Sequence, residues 1–326
     1  MIVTLTANPS IDVTLEVPTF AIDEVNRASD KIKDPAGKGI NVSRALTKNG
    51  VATVAVFPAD AVSGAWINTK LAEIDVTTVT SPIANEIRQN ITIVDDEGHT
   101  TKINEAGPVL SNHERDLLIA EIETVLDTKP TWLVMGGSLP RGLDGDFYVE
   151  MAQRAHAHGV RVAIDTSGKA LATVAHAGVA DLLKPNHEEL EELAGRALPT
   201  VEDVTNYARS ILRDDEATVL VSLGEHGALL VTTTDVVWAN HAPVEADSTV
   251  GAGDSSLAGY LSADLAARKN FLDRGDALTQ KVSTAVAWGA AAVQLPGTTV
   301  PGPNDITLNK VTAQASPNPQ ARIEEL

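Results

Sequence analysis

The 326-residue chain contains no cysteine. Disulfides, thiolate metal sites and cysteine nucleophiles are therefore excluded. No apolar stretch reaches the length of a membrane span. The opening MIVTLTANPSID lacks a basic start, an apolar segment and a small-residue cleavage site, so no secretory signal is expected and the cytoplasm is the expected compartment. Positive charge is scarce too: 25 Lys and Arg stand against 44 Asp and Glu, a net charge of −19. Such a surface repels nucleic acid and anionic lipid, which removes both from the expected partners. It would equally repel a phosphorylated metabolite. An anionic ligand must then be met by cations gathered locally, so a Lys or Arg beside a glycine-rich turn carries weight.

What is present is an ordinary globular composition, 43% hydrophobic and 21% charged, in a chain long enough to bury a core without staples. Short β-rich runs at 2–6, 52–56, 132–135, 160–164, 181–183, 218–222 and 228–231 alternate with helical periodicities near 111–126, 146–158, 187–193, 201–212, 255–267 and 277–293. Ser111 and Glu114 have the spacing of a capping box. The alternation predicts an α/β fold with a mostly parallel sheet covered by helices on both faces. Two strand-like segments, about 11–33 and 86–105, break the rhythm. They predict a small β lid inserted into a domain spanning 1–311. Residues 312–326, polar and Pro-containing, are expected as a loose tail.

Four segments carry chemistry. Ser248-Thr249-Val250-Gly251-Ala252-Gly253-Asp254-Ser255 precedes an apolar-periodic helix. Small residues at 251–253 let backbone N–H groups approach a ligand, and the helix start adds orphan donors and the positive end of its dipole. Asp254 then places a carboxylate beside an anion site, the pairing that phosphoryl transfer needs; a plain Gly turn capped by Asp is the alternative. Gly37-Lys38-Gly39-Ile40-Asn41 also opens a helix, without the Ser or Thr after the lysine that a Walker A loop requires. It suits a polyhydroxy anion, or is a flexible turn. Asn186 and Glu189 in Lys184-Pro185-Asn186-His187-Glu188-Glu189 are spaced either to hold a hydrated magnesium ion or to form a capping box. Ser222-Leu223-Gly224-Glu225-His226-Gly227 is a tight hairpin or a turn that touches a nucleotide.

In this order the segments resemble the ribokinase-like PfkB carbohydrate kinases, with PAGKGINV similar to the first family signature and STVGAGDS to the second. The resemblance runs from the start of the chain to about residue 300. The segments TLTANPSIDVTLEV, IRQNITIVD, TKINEAGP, GGSLPRG and LLKPNHEEL look most like the 1-phosphofructokinase branch, with tagatose-6-phosphate kinases close by. It implies a Rossmann-like body with a β lid that serves in relatives as a dimer interface, so a homodimer through the lid is an expectation.

It also implies ATP and Mg²⁺ as cofactors and a sugar phosphate as the small-molecule partner. Asp254 is then the base, and the backbone of Gly251, Ala252 and Gly253 holds the transferring phosphoryl group. Asn186 and Glu189 organise magnesium. Lys184, Asn186, Ser222, Gly224 and Gly227 line the nucleotide site. Asp12, Gly37, Gly39 and Asn41 hold sugar hydroxyls, with Ser138 near the substrate. Arg88 is the leading candidate for the existing phosphate, ahead of Lys38, Arg27 and Lys102, because a planar guanidinium binds phosphate oxygens in pairs.

The expected reaction is fructose 1-phosphate to fructose 1,6-bisphosphate, with tagatose-6-phosphate kinase or 6-phosphofructokinase as alternatives within the fold. A dinucleotide-dependent oxidoreductase fails because Ser256 stands at the third small position of GxGxxG and the motif comes late in the chain. A non-catalytic sugar-phosphate sensor need not retain Asp254.

Overall fold

The computed structural model describes all 326 residues, Met1–Leu326. In chain order the elements are β1 (Ile2–Leu5), β2 (Ser10–Val17), β3 (Asp30–Ala36), α1 (Lys38–Lys48), β4 (Thr53–Ala59), α2 (Ser63–Ala72), β5 (Thr77–Pro82), β6 (Arg88–Asp95) and β7 (Thr100–Asn104). They continue as α3 (Asn112–Leu126), β8 (Trp132–Gly136), α4 (Gly145–Ala157), β9 (Arg161–Asp165), α5 (Gly168–Ala177), β10 (Leu182–Leu183), α6 (His187–Ala194) and α7 (Val201–Ser210). The last are β11 (Thr218–Ser222), β12 (Ala228–Val231), β13 (Val236–His241), α8 (Ala252–Lys269), α9 (Arg274–Ala292) and β14 (Val311–Ala315).

The main sheet has ten strands in the order β14-β13-β12-β11-β10-β9-β8-β1-β4-β5. Every pair from β11 through β5 is parallel, and β12, β13 and β14 extend it antiparallel. Successive residues of a strand point to opposite faces. Accordingly Val3, Leu5, Val162 and Ile164 join a core of 35 buried residues, which also takes in Leu118 of α3, Phe147 of α4 and Leu171 of α5. Ile2 and Ala163 belong to a second core on the other face, closed by Val42 of α1, Leu257 of α8 and Val282 of α9. The predicted α/β architecture, helices on both faces of a mostly parallel sheet, is the observed one. The chain goes from central β1 to β4 and β5 on one side, then returns to β8 on the other. The point between β1 and β8 is where strand order reverses, and ligands of such sheets bind at the carboxyl ends there.

The two segments that stand apart in the sequence form a separate four-stranded sheet, β3-β2-β6-β7. Its inner face rests on the body through Ile11, Val13 and Ile87, which pack with Ile67 and Leu71 of α2. Strand β7 is exposed along its whole length. Ser111 and Glu114 make the expected reciprocal cap on α3.

Other features differ from expectation. Helices α2 and α5 and strands β5 and β13 carry no clear sequence signal: α5 is Ala-rich and its Ser167 makes no capping bond. The loose tail expected over 312–326 is instead β14, paired with β13, followed by chain that lies against α7. The Val201 amide donates to Ala321 O at 3.0 Å and the Ile323 amide to Pro199 O at 2.9 Å, with Ile323 buried. A half-exposed edge strand is polar by necessity, and that polarity reads as a tail. No helix is long and apolar enough to cross a membrane.

Candidate active site

Neighbouring strands of the main sheet deliver their carboxyl ends to one cleft. Ser222 ends β11, Lys184 follows β10, Asp165 ends β9, Gly136–Ser138 leave β8, and Asn8 follows β1. The amino end of α8 faces them. Gly251 precedes α8 with φ 77, a conformation that costs an L-residue strain, and no side chain caps this terminus. The first amides of α8 are therefore free for a ligand.

Asp254, in the first turn of α8, is buried. The Asn41 amide nitrogen, from α1, donates to its Oδ2 at 2.8 Å. Asp165 is buried beneath it and pairs with two ammonium groups, Lys38 and Lys184, the latter at 3.1 Å. A Cβ added at Gly253 would sit 3.2 Å from Lys184 Nζ, so the lysine lies directly on the glycine turn. Gly39 lets α1 close on β1: a Cβ there would come within 2.9 Å of Leu5 O.

The charges set one another's protonation. Burial pushes the Asp254 carboxyl above its ordinary range; Lys38 opposes that and Asp165 adds to it. Burial would do the same to Asp165, but Lys184 and Lys38 overcome it and hold Asp165 ionised. Burial works against the Lys38 ammonium, yet Asp165 and Asp254 hold it protonated well beyond neutral pH. The result is a proton-seeking carboxylate, two fixed cations and a set of free amides around one opening. This arrangement can take a proton from a hydroxyl and receive negative charge next to it.

The residues expected on the acceptor side fall into two groups. Asp12 in β2 accepts from Asn90 Nδ2 and Ser10 Oγ, both at 2.9 Å. Ser138 Oγ accepts from Asn8 Nδ2 at 3.1 Å. Arg88, half-buried at the start of β6, donates to Asn8 O and Glu105 O, both at 3.2 Å. These, with Gly37, Lys38, Gly39 and Asn41, surround the opening between lid and body. Arg27 and Lys102 are not part of that group: both are exposed on the lid, and neither side chain makes a hydrogen bond or ion pair. Their positions, a loop and an outer strand, leave them in solvent.

On the nucleotide side, Asn186 stands beside Ser222 in a short parallel bridge. Gly224 and Gly227 shape the turn after β11, both at positive φ. Asn186 and Glu189 do form the capping box: the Glu189 amide donates to Asn186 Oδ1 at 2.7 Å, and the Asn186 amide to Glu189 Oε2 at 2.8 Å. Glu189 Oε1 has no partner in the chain, and Glu189 lies near enough to contribute to the field on Lys38. No group of three or more His, Asp or Glu is placed to hold a metal ion. An all-oxygen set with one uncommitted carboxylate oxygen fits magnesium, which takes one or two protein ligands and completes its shell with water and phosphate.

Sequence reasoning missed Asp165, Asn8 and Arg44. Asp165 has a readable signal, a lone carboxylate ending the apolar strand Val162-Ala163-Ile164. Arg44 lies one turn beyond Asn41 and donates to Asn41 Oδ1 at 3.3 Å and Pro35 O at 3.2 Å, orienting the amide that holds Asp254.

Residues 3–305 match the model of the pfkB family carbohydrate kinases. A 1-phosphofructokinase of Bacillus subtilis is 35% identical over 262 residues, covering 80% of this chain and 85% of its own. An ATP-dependent 6-phosphofructokinase isozyme 2 of Escherichia coli is 33% identical over 302 residues, covering 91% of this chain and 94% of its own. Among solved structures, phosphofructokinase-2 of Escherichia coli in complex with potassium gives a TM-score of 0.83 at 31% identity, over 93% of this chain and 96% of that one.

Proposed function

The chain belongs to the pfkB family of carbohydrate kinases, and from that premise we propose that it transfers the γ-phosphoryl group of ATP to a hydroxyl of fructose 1-phosphate, forming fructose 1,6-bisphosphate and ADP. The observation that carries this reading is Asp254, a buried carboxylate with raised proton affinity at an uncapped helix start. In the reaction the acceptor hydroxyl gives its proton to Asp254. Its oxygen attacks the γ-phosphorus as the bond to the ADP oxygen breaks. The amides opening α8 and the Lys184 ammonium receive the charge that moves onto the phosphoryl and leaving oxygens. The Asn41 bond occupies Oδ2 and leaves Oδ1 for the substrate proton. Asn186 and Glu189 would hold magnesium, directly or through water, and its charge neutralises the polyphosphate. The relative named for 1-phosphofructokinase activity supports the choice of fructose 1-phosphate.

The test is ADP release with magnesium-ATP across fructose 1-phosphate, tagatose 6-phosphate, fructose 6-phosphate, free fructose and ribose. The reading expects the highest kcat/KM for fructose 1-phosphate; a preference for a 6-phosphate overturns the acceptor but not the chemistry. The exposed lid, with Ile22, Val25, Ile32 and Ile103 open to solvent, is the surface for a homodimer. Light scattering should give twice the monomer mass, and Ile103→Asp should lower it.

A further inference from the structure

The segment Glu105–Ala106–Gly107 links β7 to the body, and its three carbonyls are each held by a side chain. Arg88 donates to Glu105 O at 3.2 Å, Asn8 to Ala106 O at 3.2 Å, and Arg141 to Gly107 O from Nε and Nη2 at 3.2 and 3.1 Å. The two guanidiniums reach it from different elements, β6 and the turn after β8. Both line a cavity of about 450 Å³ between lid and body. That turn, residues 136–142, abuts Lys38 at its first glycines: a Cβ at Gly136 would be 3.0 Å from Lys38 Cβ. Arg141 is at its other end, with Ser138 between. One short turn therefore joins the cavity to the lysine that faces Asp254.

A neutral carbonyl is a weak partner for a guanidinium compared with a phosphate oxygen, which makes charge-assisted and paired bonds. Both arginines also keep donors in reserve. Arg88 Nε is buried without a partner, and Arg141 Nη1 makes no bond. In a chain of net charge −19, two arginines in one cavity are a local concentration of a scarce charge. Glu86 and Glu105 line it too. Glu105 Oε2 is committed to the Gln89 amide at 2.8 Å, whereas the exposed Glu86 has no side-chain partner.

Resting on the kinase reading above, we propose that Arg141 is a second anchor, with Arg88, for the phosphate already present on the acceptor. The carbonyls of Glu105 and Gly107 are the resting partners that Arg88 and Arg141, respectively, leave when that phosphate binds. Because Arg141 sits at the far end of the turn from Lys38, it fixes which end of a ketose phosphate points away from Asp254, and so contributes to the choice between acceptors.

The experiment compares wild type, Arg141→Ala, Arg141→Lys and Glu86→Gln in the full chain, with fructose 1-phosphate, free fructose and ATP varied in turn. Arg141→Ala should raise KM for fructose 1-phosphate on the order of ten- to a hundredfold, the worth of a charge-assisted bond, with much smaller changes for free fructose and ATP. Arg141→Lys should recover part of the loss, since it restores charge but not the fork. Glu86→Gln should lower KM for fructose 1-phosphate about twofold, the scale of one exposed charge. Equal effects of Arg141→Ala on phosphorylated and free sugar, or no effect, overturn the assignment. A wild-type preference for a phosphorylated ketose with Arg141→Ala unchanged sinks this inference alone. A wild type that prefers unphosphorylated sugars sinks the acceptor reading and this inference with it. If no acceptor turns over, calorimetric titration of fructose 1-phosphate still decides: binding lost in Arg141→Ala supports the anchor, and binding that is unchanged or absent in wild type refutes it.

Discussion

Replacing Asp165 by Asn keeps the shape of the side chain and removes the one charge that two lysines share. Asp165 is about 1% exposed and its partner Lys184 about 5%, so little water is at hand to take over. Deleting one partner of a buried ion pair costs about 3–5 kcal/mol, because the other charge stays buried without compensation. For a chain of this size each kcal/mol lowers Tm by about 2 °C, so Asp165→Asn should unfold about 6–10 °C earlier. Catalysis should shift in a specific direction. The Asp165 charge raises the proton affinity of Asp254, whereas Lys38 and Lys184 lower it. Without Asp165 the first influence disappears, and the second is no longer divided between two carboxylates. Asp254 must then titrate at lower pH, and the acid limb of the kcat profile must move down.

The wild-type limb should lie above the ordinary carboxylate range, because burial raises Asp254. The sign for stability is opposite. The depressed Asp165 stabilises the fold above its unfolded-state pKa and ceases to do so as pH falls through its folded value, a dependence the variant should lose. Thermal unfolding and kcat against pH are the assays. An acid limb that moves up, or a Tm within about 2 °C of wild type, would refute this account of the Lys38–Asp165–Lys184 group.

Asp254→Asn should cut kcat about 10²- to 10⁴-fold with little change in either KM, as loss of a positioned base does; steady-state turnover near wild type would remove Asp254 from that role. Arg88→Ala should raise KM for the phosphorylated acceptor far more than for ATP, and equal effects in initial-rate assays would count against it. Gly253→Ala separates folding from function. Alanine suits a first helical turn, and its Cβ, 3.2 Å from Lys184 Nζ, asks that ammonium to give by only a few tenths of an ångström, so the pair with Asp165 and Tm should be kept while the shifted ammonium lowers kcat about tenfold. A fall in Tm parallel to the fall in rate would show that the site is not what changed.

The segments that open α1, α6 and α8 are legible because helix starts are local events: a glycine, a capping residue and the apolar period lie within a few positions of one another. Their assembly is not local. Asn41 and Asp254 meet across 213 residues of chain, and nothing in either segment names the other. Asp165 is one polar residue at a strand end, and its meaning comes from two lysines that β10 and α1 bring to it. Asn186 and Glu189 show how two readings of one spacing can hold together, since the pair caps α6 and still leaves a carboxylate oxygen free. The lid strands are recognisable by their alternation, but the parallel pairing of β2 with β6 is set by where the body fastens each end. Arg27 and Lys102 stand apart from the opening because charge alone says nothing about distance from it: Arg27 is in the loop between β2 and β3, and Lys102 is in the exposed outer strand β7.

The C-terminal strand has a consequence for the chain as it is made. Until residues 311–315 emerge, β13 offers an open row of amides and carbonyls flanked by buried Val237 and Ala239, and an open row of this kind recruits other chains. Once β14 docks, the outermost strand is the short VTAQA, half-exposed and soon followed by Pro317. The opposite edge, β5, is TTVTSP and ends in proline as well. Docking of β14 therefore replaces an adhesive rim with an inert one. A chain stalled before that step would be prone to self-association, although every residue of the candidate site had already been made.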